Sequence, residues 1–274
     1  MNEAPDALAA IGQLPDIEID IADAALQLAR VDAPDADWRA ARAHLTELAR
    51  DAVALAAEAD DDVATRAGAL AGLLSRRHGY AGDTETYDDP ANANLIRVIE
   101  RRRGLPVCLG VLWLHCARAA GWAAHGVDFP GHFLFALEGT GGAVMLDVFA
   151  GGQPLDAADL EELARRVEGP RAALRADQLR PMSTRAVLLR LQNNILLRRE
   201  QAGDLPGALA CAEDMLRIAP DAAMIWQQAA RLNQRLDRVA AALRCFTRFV
   251  SLVPPGAEAD RVRAMISDLR TRLN

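Results

Sequence analysis

Three residues of this chain have the types and the order of a thiol nucleophile with its base. They are Cys108, His132 and Asp147, all within residues 104–152. In thiol-dependent acyl chemistry a thiolate attacks a carbonyl carbon, an imidazole carries the proton, and a carboxylate orients the imidazole. The three residues therefore indicate amide hydrolysis or acyl transfer through a thioester, provided that the surrounding elements bring them together.

The cysteine lies in the first turn of a predicted helix. Pro106 suits the N1 position, where its missing N–H costs nothing, and Gly121 suits the position after the last turn. Between them the apolar residues recur at helical spacing, namely Leu109, Leu112, Trp113, Cys116, Ala117 and Ala120. Cys108 stands beside this stripe, where the unpaired N–H groups of the helix start favour a thiolate. We therefore expect a lowered pKa for the Cys108 thiol.

The histidine and the aspartate fall on two predicted strands that form a hairpin. The apolar runs 132–138 and 143–149 flank the Gly-rich turn 139–142. A two-residue loop at Gly139–Thr140 places His132 opposite Asp147, and a four-residue loop over 139–142 makes them diagonal neighbours on one face. An odd loop would put them on opposite faces. The even loops both predict contact between the imidazole and the carboxylate.

Polar residues precede the predicted helix of the cysteine. Asn92 and Asn94 each have two interpretations, as a donor to a developing oxyanion or as the N-cap of a helix that begins near Leu95. Arg101, Arg102 and Arg103 suit the C-terminal end of that helix, and could equally contact an anionic substrate or partner.

The remaining cysteines and histidines suggest neither a metal site nor a cofactor site. Cys116 falls on the apolar stripe, His115 on the same helix and His125 on a strand. His44 and His78 have no cysteine or carboxylate partner at ligand spacing. The four cysteines show no paired spacing, which argues against disulfides and a zinc site.

Composition narrows the class of protein further. The chain has 274 residues, a net charge of −7 and a mean hydropathy of −0.00, and all 31 of its basic residues are arginines. The negative charge disfavours binding to a phosphate backbone, and the absence of lysine means that no side-chain amine of this chain can accept an acyl group. No apolar run reaches the roughly 20 residues of a membrane span, and the acidic N-terminus is unlike a signal peptide. We expect a cytoplasmic protein with no nucleic-acid or membrane partner.

Aspartates mark helix starts in the N-terminal third. Predicted helices span about 19–30, 37 into the fifties, and from the Asp60–Asp62 cluster to about Arg77. Asp156 is the predicted N-cap of a further short helix that ends near Val167.

From Thr184 onward the sequence is helical and repeats itself. A shift of 34 residues aligns Ala208 with Ala242 and Pro220 with Pro254, and this is the tetratricopeptide period. The predicted helices are 184–202, 205–218, 221–235, 238–252 and about 257–272. Such helix pairs bind peptides or extend a structure, and the acidity of the whole chain favours a neutral or arginine-containing peptide as partner.

The chain resembles the bacterial SirB family, in which a transglutaminase-like core is joined to tetratricopeptide-type helices. The matching segments are 90–114, 126–137 and 145–155, with Pro130-Gly131-His132-Phe133 the most specific, and the resemblance covers roughly residues 17–255. In the wider superfamily a helix-borne cysteine, a strand-borne histidine and an aspartate on the next strand form the catalytic triad. The resemblance thus implies these roles for Cys108, His132 and Asp147.

The predicted fold class is α+β, with a transglutaminase-like core of the papain-like cysteine protease superfamily and N-terminal helices, followed by an all-α tetratricopeptide-like domain. The predicted domains are residues 1–167 and 184–274, joined by a linker over 168–183. The predicted function is thiol-dependent amide hydrolysis or acyl transfer on a protein or peptide substrate. The alternative is a non-catalytic adaptor that holds a protein partner in its cleft or on its helices.

Overall fold

The computed structural model describes residues 3–271, which form two compact units. One unit comprises residues 15–191, and the other comprises 3–14 together with 192–271. The helices are α1 (Ala4–Gly12), α2 (Ile21–Asp32), α3 (Trp38–Glu58), α4 (Val63–Ala71), α5 (Leu95–Arg101), α6 (Pro106–Ala119), α7 (Ala157–Glu168), α8 (Thr184–Gln201), α9 (Leu205–Ile218), α10 (Ala223–Arg235), α11 (Val239–Leu252) and α12 (Ala257–Thr271). The strands are β1 (Ala81–Gly82), β2 (Arg103–Gly104), β3 (Ala124–Phe129), β4 (His132–Gly139), β5 (Gly142–Asp147), β6 (Gln153–Leu155) and β7 (Pro181–Met182). Across the described residues, no helix has both the length and the apolar character needed to cross a bilayer.

Aspartate side chains cap the N-terminal helices, as the sequence predicts. Asp20, Asp37 and Asp62 accept hydrogen bonds from backbone N–H groups in the first turns of α2, α3 and α4. Each aspartate thereby satisfies donors that have no partner within the helix. Beyond α4 the chain continues through a π-helical segment, Gly72–Arg77.

Helix α6 forms the centre of the first unit. It contacts α2, α3, β3 and β4, and its residues from Pro106 to Ala117 are buried except for His115. Gly121 follows the helix with φ +72°, a conformation that suits glycine. The sequence predicts a single apolar stripe on this helix, but in the structure nearly every side of the helix is buried.

A five-stranded antiparallel sheet packs beside α6, in the order β6-β5-β4-β3-β7. In the β4–β5 hairpin Gly139 pairs with Gly142, and Phe135 pairs with Leu146. This is the register of the two predicted alternatives that makes His132 and Asp147 diagonal neighbours. The loop between the paired glycines is only Thr140–Gly141. The sheet also contains β3, on which the sequence places His125, and the short strands β6 and β7, which the sequence does not predict.

Each face of the sheet packs on a different helix. Leu134 and Ala136 of β4 join Leu160 and Ala164 of α7 in one buried cluster. Phe133, on the opposite face, fills the space where Gly110 of α6 lacks a side chain, so that a Cβ at this glycine would overlap the phenyl ring. The close approach of α6 to the sheet therefore requires a glycine at this position.

The second unit is helical throughout its described residues. Helix α10 packs on α9 and α11, α12 packs on α11, and α1 packs on α9. Phe246 and Phe249 form the centre of the core with Val262, Ile266 and Leu269 of α12. The predicted bounds of the helices in this region agree with the structure to within two residues, except that the predicted end of the last helix, at about residue 272, lies outside the described residues. Helix α1 is absent from the sequence analysis.

The fold class is α+β with a helical C-terminal part, as predicted. The chain passes from one compact unit to the other between Leu191 and Gln192, within α8. The predicted linker at 168–183 includes β7, which pairs with β3, and the domain boundaries given by the sequence stay predictions.

Candidate active site

His132 and Asp147 come together at one end of the β4–β5 hairpin. His132 is the first residue of β4 and Asp147 is the last residue of β5. The distance from Nε2 of His132 to Oδ2 of Asp147 is 3.2 Å, and about one fifth of each side chain is exposed. The contact does not meet the geometry of a hydrogen bond, so the imidazole and the carboxylate lie next to each other without one. Nδ1 of His132 remains as the nitrogen that could exchange a proton with a thiol.

The tight turn after β5 holds the carboxylate of Asp147. Its Oδ1 accepts hydrogen bonds from the backbone N–H groups of Phe149 (2.9 Å) and Ala150 (3.2 Å). Burial raises the pKa of this carboxyl, but the His132 imidazole and the two N–H groups together outweigh that effect and lower the pKa below its usual value. Asp147 is therefore ionised at neutral pH and presents its other oxygen to the imidazole.

Cys108 is completely buried in the first turn of α6. Burial raises the pKa of its thiol well above the usual value. The lowered pKa expected from the helix start is therefore wrong for this conformation, because the thiolate would lose its hydration. Cys108 is a neutral thiol here.

The structure does not bring Cys108 into hydrogen-bond contact with His132. Among the described residues, the two side chains share no hydrogen bond, and α6 packs on β4 through Phe133 and Phe135. His132 belongs to the other face of the pleat, with Leu134. A thiol on α6 can therefore meet the imidazole only around the end of β4.

The two asparagines have different roles. Asn94 caps α5 by accepting hydrogen bonds from the N–H groups of Ile96 and Arg97, so the N-cap interpretation is confirmed at this position. Asn92 is fully buried and donates through Nδ2 to the carbonyls of Thr86 and Tyr87. Its Oδ1 has no hydrogen-bond partner among the described residues. Asn92 thus fixes the polar loop that precedes α5, and its Nδ2 donates to that loop.

The three consecutive arginines contact different groups. Arg101 forms ion pairs with Asp83 (3.1 Å) and Asp89 (3.0 Å). Arg102 instead contacts His44 and the hydroxyl of Tyr80, and Arg103 donates to backbone carbonyls. These contacts are structural and occupy the guanidinium groups.

Sequence reasoning missed Arg190, which contacts the strand of the candidate base. Its Nη2 donates to the carbonyl oxygen of His132 at 2.6 Å, and its Nη1 is paired with Asp128. Arg190 lies on α8, far from His132 in sequence, so neither periodicity nor a motif marks it. It fixes the backbone at the residue that carries the imidazole.

The other histidines bind nearby groups. His115 contacts the carbonyl of Leu45, and His125 pairs with Glu138. His44 contacts Glu47 and His78 contacts Asp51, so each has a carboxylate neighbour that its sequence spacing did not lead us to expect. Within residues 3–271 there is no group of three or more His, Cys, Asp or Glu side chains that could hold a metal ion. None of the four cysteines forms a disulfide.

Alkylation should follow the burial of the thiols. Cys108, Cys116 and Cys211 are buried, and Cys245 is half-buried. We expect iodoacetamide at neutral pH to modify Cys245 first and the other three only as the structure opens, and peptide mapping over time would measure this. In urea the four rates should converge, and the Cys245→Ser variant should have no fast thiol. Fast modification of Cys108 would show that its covering residues open readily.

Both parts of the chain match families of known proteins. Residues 39–193 match the model of the transglutaminase-like superfamily, and residues 193–267 match a tetratricopeptide repeat model. With the central helix, the antiparallel sheet and the helical C-terminal part, these matches define the class. The chain belongs to the transglutaminase-like superfamily and carries tetratricopeptide repeats, which indicate protein–protein interaction.

Similar curated proteins include bacterial UPF0162 proteins and a mammalian F-box protein. A UPF0162 protein of Xylella fastidiosa is 34% identical over 199 residues, which cover 72% of this chain and 71% of that protein. A UPF0162 protein of Vibrio cholerae is 27% identical over 256 residues, covering 92% of this chain and 93% of its own. The human F-box only protein 21 is 30% identical over 92 residues, covering 31% of this chain and 15% of that protein.

Proposed function

We propose that this protein is a thiol-dependent acyltransferase or amidohydrolase that acts on a protein or peptide. Cys108 is the nucleophile, His132 the base and Asp147 the group that orients the imidazole. The contact between His132 and Asp147, with Asp147 fixed by two backbone N–H groups, carries this proposal. The finer assignment to the SirB family rests on the sequence resemblance described above.

The proposed reaction has two steps. The thiol proton of Cys108 passes to Nδ1 of His132, and Sγ attacks the carbonyl carbon of an amide. The carbon–nitrogen bond breaks, the leaving amine takes the proton from His132, and a thioester to Cys108 remains. Water or an external amine then attacks the thioester, gives its proton to His132, and releases Cys108 as a thiol.

The site must open before the first step. Cys108 is fully buried and makes no hydrogen bond to His132, so neither the substrate nor the base reaches it in the described conformation. Movement of the residues that cover the first turn of α6 would expose the thiol. Exposure would also remove the burial that raises the pKa of the thiol, so one movement would supply both access and reactivity.

An acyl donor that forms a stable thioester tests this proposal. After incubation with a p-nitrophenyl ester, intact-mass measurement should show one acyl adduct, and peptide mapping should place it on Cys108. Cys108→Ala should abolish the adduct. Cys116→Ala is the matched control, since Cys116 is equally buried in the same helix, and it should retain the adduct. An adduct confined to Cys245, or no adduct, would contradict the proposal.

The same observations favour a second function. A buried neutral thiol that does not touch its base is also what a non-catalytic adaptor would have, and tetratricopeptide repeats bind proteins. If the adaptor function is the true one, Cys108→Ala should leave partner binding unchanged and no acyl adduct should form with any ester. The acylation experiment therefore separates the two functions.

A further inference from the structure

A groove of about 830 Å³ crosses the helical unit, bounded by α9, α10 and α11. The groove is formed wholly by residues of that unit, since its lining runs from Leu209 to Arg248. Its volume lies in the range of sites that bind small molecules or short peptide segments. The triad proposed above does not involve this surface.

The groove has a positive lining in a negatively charged protein. Its lining contains four arginines, Arg217, Arg238, Arg244 and Arg248, and one acidic residue, Glu213. The chain as a whole has a net charge of −7. Charges in a partly enclosed groove act on a ligand more strongly than the average charge of the chain. The preference for an arginine-containing partner, expected from overall acidity, therefore does not apply to this groove.

Two of these arginines are available to a ligand. Arg217 is paired with the buried Asp214, and Arg248 is paired with Asp221 at 2.8 Å. Within the described part of the chain, no carboxylate forms an ion pair with Arg238 or Arg244, and both side chains are exposed. A guanidinium offers several N–H donors in a planar arrangement that matches a carboxylate.

The floor of the groove is apolar. Leu209, Leu216 and Ala229 are buried beneath it, and the ring of Trp226 is half-buried at its side. The indole N–H of Trp226 donates to the carbonyl of Pro220 at 2.8 Å, which fixes the ring. A fixed aromatic ring beside aliphatic side chains is the kind of surface that receives an apolar anchor residue.

We propose that this groove binds an acidic peptide segment of a partner protein. Aspartate or glutamate side chains of the segment bind Arg238 and Arg244, and an apolar side chain of the segment occupies the floor beside Trp226. A peptide with acidic and apolar side chains can contact both the arginines and the apolar floor of the groove. Inorganic phosphate would use only the arginines, and a nucleic acid would meet the repulsion of the acidic chain outside the groove.

Peptide binding to the intact protein tests this proposal directly. The probe is a fluorescein-labelled peptide of glutamate and leucine, with its lysine–leucine counterpart as the charge control, and anisotropy is the readout. We expect the acidic peptide to bind and the basic peptide not to bind. Arg238→Glu combined with Arg244→Glu should weaken binding by about tenfold or more, because two attractive contacts become repulsive.

The matched control changes the same charge elsewhere in the helical unit. Arg231→Glu combined with Arg261→Glu alters two exposed arginines outside the groove lining and should change the affinity by less than about twofold. Equal weakening by the two double variants would overturn the proposal, since it would show attraction to overall charge. Displacement of the peptide by equal concentrations of phosphate or of an oligonucleotide would also overturn it.

A second readout requires no variant. Cys245 lines the groove, so a bound acidic peptide should slow its modification by iodoacetamide several-fold while leaving the slow modification of Cys108 unchanged. Unchanged modification of Cys245 at a saturating peptide concentration would place the peptide elsewhere and contradict the proposal. Because Cys108→Ala should not alter peptide binding, failure of the acyl chemistry and failure of the groove proposal are distinguishable.

Discussion

His132→Ala should lower the rate of acyl transfer from a p-nitrophenyl ester by roughly 10⁴-fold or more. Without the imidazole the thiol loses its proposed base, and Cys108 remains a neutral thiol because burial raises its pKa. The release of p-nitrophenol under single-turnover conditions measures the step directly. Asp147→Asn should lower the same rate less, by roughly 10²–10⁴-fold, because the carboxylate acts through the imidazole.

His125→Ala is the matched control for this prediction. His125 lies on the neighbouring strand β3 and also contacts a carboxylate, that of Glu138, at 2.9 Å. It should lose less than about threefold in rate, since it touches neither His132 nor Asp147 in the described structure. If His132→Ala and His125→Ala had the same small effect, the pair at the end of the hairpin would have no catalytic role. The adaptor function would then be favoured.

Helix positions in this chain could be predicted because their signals are local. Asp20, Asp37 and Asp62 cap the helices that they precede, and the helices from Thr184 onward follow the expected periodicity. A cap and an amphipathic period depend on residues within one or two turns, and the sequence displays them directly. Helix α1 was missed because its apolar face is short and packs on α9, about 200 residues later in the chain.

The His132–Asp147 part of the candidate site could be predicted in the same way. The contact between His132 and Asp147 follows from the hairpin register, which the glycines at 139–142 restrict to a few alternatives. The state of Cys108 could not be predicted, because its burial depends on elements that pack around α6 from several parts of the chain. The dipole at a helix start favours a thiolate, and complete burial outweighs that effect here.

The positive charge of the groove lining was not predicted from the sequence either. Arg238 and Arg244 lie in a stretch, residues 222–257, that contains five arginines and one acidic residue, Asp237, and the net charge of the whole chain does not show this local excess. Only the packing of α9, α10 and α11 collects them on one surface while Asp214 and Asp221 are paired with other arginines. The average charge describes long-range attraction, whereas recognition depends on the groups that line one groove.

Gly152→Ala should destabilise the protein by about 3–4 kcal/mol and displace Asp147. Gly152 has φ +84°, and a Cβ at this position would overlap the ring of Trp113 on α6, which is 1% exposed and has no space to move into. The backbone N–H of Gly152 also donates to the carbonyl of Asp147 at 2.8 Å, so relief of the overlap moves the turn that holds the carboxylate. Urea unfolding followed by circular dichroism measures the loss of stability.

Substitutions at Gly151 and Gly141 distinguish steric overlap from backbone strain as the cause of that loss of stability. Gly151→Ala has nearly the same φ, +75°, but its added Cβ would lie in ordinary contact, 3.6 Å from Oγ of Ser75, so it should cost only about 1–2 kcal/mol. Gly141→Ala, in the hairpin loop, meets no atom within 4 Å and has no positive φ, so it should change stability by less than about 0.5 kcal/mol. If Gly152→Ala lowered the stability by no more than Gly151→Ala, the added Cβ would not overlap the ring of Trp113. The proposed link between α6 and the position of Asp147 would then be wrong, because backbone strain alone would account for the loss.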